Sequence, residues 1–96
     1  MPIIKLTYRV PGGKTIRVCI EWEDGLLKNV VFTGDFFMQP DYLIDELGES
    51  LSGVRISRDE IIKAISEFFK KHQDIWIYGA KPEDFAKAVL KALKID

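Results

Sequence analysis

Few side chains in this sequence have the chemistry to make or break a bond. Cys19 is the only thiol and His72 the only imidazole. A thiolate at Cys19 would be favoured by Arg17 and by Lys14, both close in sequence. Strand alternation, however, places Cys19 with Arg17 and Glu21 on the face opposite Ile16, Val18 and Ile20. No general base lies near it in the chain, so a small side chain on a partly covered sheet face is the expected role. His72 falls where a helix should end, and a cation there suits the helix dipole. That structural role outweighs catalysis. One cysteine and one histidine do not close a zinc site. Glu21, Glu23 and Asp24 surround a turn, and Asp41, Asp45, Glu46 and Glu49 read as a solvated helix face. Pro11-Gly12-Gly13-Lys14 lacks the spacing of a phosphate-binding P-loop. Lys14 is nevertheless a cation suited to neutralising a phosphate or carboxylate in a partner's site, with an exposed turn lysine as the equal alternative.

The most unusual stretch is Thr33-Gly34-Asp35-Phe36-Phe37-Met38-Gln39-Pro40. Successive side chains of an extended segment face opposite ways, so Phe36 and Phe37 cannot both enter a one-sided core. One ring is expected inside, the other over a different surface or in solvent. Gly34 beside an acid suggests a tight bend or a close backbone approach. The plain structural alternative is that Asp35 caps backbone amides and both rings close the core. The interface reading of Thr33, Gly34, Asp35, Phe36 and Phe37 is preferred because two adjacent rings are hard to bury at once.

The elements that must position these residues follow from periodicity. Residues 3–10 alternate, with Ile4, Leu6, Tyr8 and Val10 on one face. A second strand, about 14–23, carries Ile16, Val18, Ile20 and Trp22 on one face. Asp24-Gly25 signals a hairpin into a third strand, about 26–33. A helix is predicted from Pro40 to about Leu51, with Gly48 an unfavourable interior residue and Gly53 a C-terminal stop. Ser57-Arg58-Asp59-Glu60 has capping-box spacing and opens a second helix through Phe68 and Phe69. Ile75-Trp76-Ile77-Tyr78 is an extra strand or a core-covering connector. A last helix starts at Pro82, with a stripe of Phe85, Ala88, Val89, Ala92 and Leu93. The expected fold is α+β: an antiparallel three-stranded meander with about three helices on one face.

The totals narrow the function further. The 96 residues fit one domain. Fourteen basic and fifteen acidic residues give a net charge of −1, which argues against a general nucleic-acid binder. No apolar run approaches the ~20 residues needed to cross a bilayer. The chain runs from Met1 almost directly into a strand without a signal-peptide layout, and one cysteine suits a reducing compartment, so a cytoplasmic location is expected. Scarce amides with 30% charged residues lean towards a thermophilic composition.

Gly34-Asp35-Phe36-Phe37 followed by Pro40 resembles the GDFFxxP signature of the C-terminal accessory domain of lipoate–protein ligases. Pro11-Gly12-Gly13-Lys14 and Gly79-Ala80-Lys81-Pro82-Glu83-Asp84-Phe85 extend the resemblance, in order, over nearly the whole chain. In that family a larger catalytic domain binds lipoate and ATP, makes lipoyl-adenylate and transfers the lipoyl group to a lysine of an acceptor domain. The catalytic lysine and Gly-rich segments belong to that larger domain and have no counterpart here. The resemblance therefore implies a stand-alone accessory subunit, not catalytic alone, that joins a catalytic subunit and completes or closes over its active site. Lipoate, ATP and Mg²⁺ would be held in the assembled ligase, with none bound by this chain alone, and the acceptor domain would be an indirect partner. Gly48 departs from the pattern, at a position where a better helix former is expected. Two other readings compete. One is a sulfur-acceptor protein of iron–sulfur cluster assembly, which would carry persulfide on Cys19. Those proteins present the cysteine on an exposed loop tip, whereas Cys19 reads as mid-strand. The other is a plain protein-interaction module.

Overall fold

The computed structural model describes residues 2–96. Strands β1 (Ile3–Arg9), β2 (Thr15–Glu23) and β3 (Leu26–Gly34) form an antiparallel sheet in the order β1-β2-β3. This is the meander expected from the alternating pattern. Asp24 and Gly25 close the β2–β3 hairpin with positive φ at both positions, as a tight two-residue turn requires. One face of the sheet is apolar: Ile16, Val18 and Ile20 of β2 are buried, with Val30 and Phe32 of β3.

The alternation slips once. Glu21 pairs with Asn29, but the next residue, Trp22, pairs with Leu27. Lys28 and Asn29 are thus both exposed between buried Leu27 and Val30. This bulge resets the parity of β3 so that its two halves can both reach the core. The Asn29 side-chain amide donates to the Glu21 carboxylate across it, at 3.1 Å.

Three helices follow: α1 (Leu43–Glu49), α2 (Arg58–Lys71) and α3 (Pro82–Leu93). The layer matches the expected α+β arrangement, with α1 against β3, α3 against β1 and β2, and α2 packed on α3. Two details of the sequence reading change. The first helix begins at Leu43 instead of Pro40. Residues 40–42 make a turn whose bonds span three residues, Leu43 N–H to the Pro40 carbonyl and Ile44 N–H to the Asp41 carbonyl. The Gln39–Pro40 peptide is cis. Ser57 precedes α2 in extended backbone, but its hydroxyl makes no capping bond.

Gly48 fits the helix it was expected to weaken. It is buried, and a Cβ there would run into the Val30 carbonyl oxygen beside the bulge. The absent side chain allows α1 to lie directly on the β3 backbone.

The segment after β3 does not join the meander. Phe37–Gln39 forms β4, and Trp76–Tyr78 forms β5; the two pair antiparallel as a separate small sheet. The apolar stretch before the last helix is therefore a strand, and its partner is the segment carrying the paired phenylalanines. The ring of Phe85, fully buried on α3, joins the layers. It meets Phe32 and Phe36 edge-on, with centroids 5.4 and 5.1 Å away.

Candidate functional site

Three segments far apart in the chain converge at one corner: the β1–β2 hairpin, the β3–β4 junction and the turn after β5. The Lys14 N–H donates to the Gly79 carbonyl at 2.8 Å, and the Asp35 N–H donates to the Thr15 carbonyl at 3.0 Å. These bonds tie all three segments together through main chain, so they do not depend on which side chains Lys14, Thr15 and Asp35 carry.

Glycine makes the approach possible. Gly79 has φ +93°, and a Cβ there would collide with Cγ of Lys14. A Cβ at Gly34 would run into the Thr15 carbonyl. The Lys14 stem thus lies across Gly79 while its residue as a whole remains exposed. At the turn into α3, the Lys81 N–H donates to the Asp84 carboxylate at 2.8 Å. Asp84 is nearly buried, so this bond fixes the helix start against the corner. A shallow groove of about 510 Å³ runs between the hairpin, at Pro11 to Gly13, and Gly79 to Lys81.

The paired phenylalanines separate as alternation requires. Phe36 is 6% exposed and packs on Phe85; Phe37 is 61% exposed. Asp35 is exposed, and its carboxylate makes no hydrogen bond among the described residues. It is therefore not the backbone cap that the structural alternative supposed. Lys14 likewise has no ion pair; the one salt bridge among the described residues joins Lys91 and Asp96 at the far end of α3. There the hydrogen bond between them raises the lysine and lowers the carboxyl from their ordinary ranges. Thr33 is exposed and pairs with Arg17 in the sheet. The corner thus presents a cation, a carboxylate and an aromatic ring, while Phe36 and Gly34 serve its construction.

The structure does not assemble Cys19 into a reactive site. It is half-buried in the middle of β2, between Lys5 of β1 and Val31 of β3, on the sheet face away from the helices. A shallow groove of about 300 Å³ crosses that face, and no imidazole or carboxylate lines it. His72 ends α2 in the helical layer, its ring 4.5 Å from that of Phe68. The sheet separates the two residues. Among the described residues no group of three or more His, Cys, Asp or Glu side chains converges to hold a metal ion.

Trp76 and Tyr78 were not singled out as site residues by the sequence reading. Their signal lay in the alternation of residues 75–78, which places both on the face opposite Ile77 once the segment is a strand.

Comparison with known proteins bears on the chain as a whole. Residues 4–89 match the family described as bacterial lipoate protein ligase C-terminus. The "Lipoate-protein ligase A subunit 2" of Thermoplasma acidophilum is 34% identical over 74 residues, covering 77% of this chain and 74% of the relative. A chain of the bi-partite lipoate protein ligase of Thermoplasma acidophilum, solved in work on an archaeal lipoylation system and its E2 lipoyl domain, superposes with a TM-score of 0.76. That match is 28% identical and covers 92% of this chain and 94% of the other. With the family model spanning nearly all of the sequence and the fold shared, this chain belongs to the lipoate–protein ligase C-terminal domain family.

Proposed function

We propose that this chain is the accessory subunit of a two-chain lipoate–protein ligase. It supports ATP-dependent formation of lipoyl-adenylate by a catalytic subunit, before lipoyl transfer to an acceptor lysine. The observation that carries this reading is the corner itself. The three segments that resemble the family motif converge there, and its exposed cation and carboxylate have no partner among the described residues. A relative in the same family is named as the second subunit of a ligase, which supports a catalytic chain as the partner.

In this reading the chain carries out no chemical step alone. Lys14 offers the catalytic subunit's site a cation against the negative charge that develops on phosphate during adenylation. Asp35 offers a carboxylate to donors of the catalytic subunit, and Thr33 borders it. Gly34 and Phe36 hold the segment in place, and Phe37 faces the partner. Lipoate, ATP and Mg²⁺ are bound by the catalytic subunit, and the acceptor domain meets this chain indirectly. The complex acts in the cytoplasm; among the described residues no helix is long and apolar enough to cross a membrane.

The test is to incubate the purified chain with lipoate, ATP-Mg²⁺ and an acceptor domain, and separately to isolate the tagged chain from its source. The reading expects no lipoyl-adenylate from the chain alone and co-purification of a ligase-like catalytic subunit. Product formed by the chain alone, or a partner unrelated to lipoylation, contradicts it.

A further inference from the structure

The small sheet β4–β5 has an inner and an outer face. Met38 and Ile77 pair inward; Met38 is buried and Ile77 half-buried. Phe37, Gln39, Trp76 and Tyr78 point the other way, because side chains alternate along each strand. Three of these four are large aromatics, exposed by 61%, 55% and 52% for Phe37, Trp76 and Tyr78. They form a continuous ridge. The Trp76 and Tyr78 rings stack with centroids 6.2 Å apart and planes 17° from parallel, and Phe37 lies 6.4 Å from Tyr78 across the strand pair.

We infer that this ridge is the binding anchor for the catalytic subunit, with Trp76 and Tyr78 at its centre. The inference rests on the function proposed above and extends its interface to two residues outside the motif. Leaving three such rings in water forgoes a hydrophobic gain, since about half of the roughly 150–250 Å² that an aromatic can bury is still open on each. Trp and Tyr are enriched among residues that dominate binding energy, and such residues cluster within a polar surround. Here Asp35, Gln39 and Asp74 are exposed beside the aromatic strands and supply that surround.

Continuity selects the occupant. Tyr78 directly precedes Gly79, and Phe37 directly follows Phe36, so the ridge runs into the Lys14–Gly79 corner without a break. A second copy seated on the ridge would close that corner to a catalytic subunit. An ordinary specific interface buries roughly 800 Å² per side, more than three half-exposed rings supply, so a partner seated on the ridge must cover adjoining surface such as the corner as well.

The experiment measures binding of the purified catalytic subunit to the wild-type chain, Trp76→Ala and Tyr78→Ala by calorimetry, with thermal melts of each chain. Each substitution should weaken binding about thirtyfold or more while the melting temperature stays near wild type. As a measurement that needs no truncation, the chain labelled with 5-fluorotryptophan should show the Trp76 fluorine resonance losing its solvent isotope shift when the catalytic subunit is added. Wild-type binding by both variants, or a Trp76 resonance that keeps its solvent shift in the complex, overturns the inference. So does a wild-type dimer that Trp76→Ala disperses. If the wild-type chain binds and stimulates the catalytic subunit but the variants bind equally well, only the ridge falls. If the wild-type chain neither binds nor stimulates, the proposed function falls with it.

Discussion

The ring of Phe36 stands edge-on to that of Phe85, centroids 5.1 Å apart and planes at 89°. Its sequence neighbour Phe37 turns to the opposite side and is 61% exposed. The two substitutions therefore separate folding from binding. Phe36→Ala should cost about 3–5 kcal/mol of stability, as for buried aromatics generally. Phe37→Ala should melt near wild type and weaken binding to the catalytic subunit by about 2 kcal/mol. Thermal melts and a binding isotherm check both; equal destabilisation by the two would place both rings in the core.

Gly48 gives a prediction opposite in sign to helix propensity. Gly→Ala in a helix interior ordinarily stabilises by up to about 1 kcal/mol. Here the added methyl would strike the Val30 carbonyl oxygen, and backbone cannot yield as a flexible side chain does. Gly48→Ala should therefore lower the denaturation midpoint, by about 1–3 kcal/mol in stability as for overpacked sites. A stabilised variant would show that α1 does not rest on β3 as described.

Cys19 sits mid-strand on the open sheet face, with no imidazole in its groove. Cys19→Ser should leave stimulation of the catalytic subunit close to wild type. A loss beyond about tenfold, equivalent to ~1.4 kcal/mol, in a folded variant would revive the sulfur-carrier reading.

Lys14 rests its stem on Gly79 and has no ion pair among the described residues, so its charge is available to a partner's phosphate. Lys14→Ala keeps the Cβ and should lower the rate of adenylate formation about tenfold at saturating chain. Binding of the catalytic subunit should change by less than about threefold, because an exposed cation contributes little affinity. Equal rates for variant and wild type leave Lys14 a solvated turn residue.

These residues also show what the sequence could and could not reveal. The meander was legible because Ile16, Val18 and Ile20 alternate cleanly with Arg17 and Cys19. The separation of Phe36 from Phe37 was legible for the same reason. The pairing of β4 with β5 was not, because three-residue strands have too little periodicity to name a partner nearly forty residues away. Gly48 was misjudged because its value lies in contact with Val30, which is remote in sequence. The corner was legible as three separate motifs, but the main-chain bonds from Lys14 to Gly79 and from Asp35 to Thr15 leave no mark on residue type.

The central claim is that this chain raises adenylation by another subunit. The direct measurement is a titration of the purified chain into its catalytic subunit with lipoate and ATP-Mg²⁺, following lipoyl-adenylate and released pyrophosphate. The account predicts that both rise with added chain and saturate at one chain per catalytic subunit. A rate that stays at that of the catalytic subunit alone, with the two proteins shown to be folded, would contradict it.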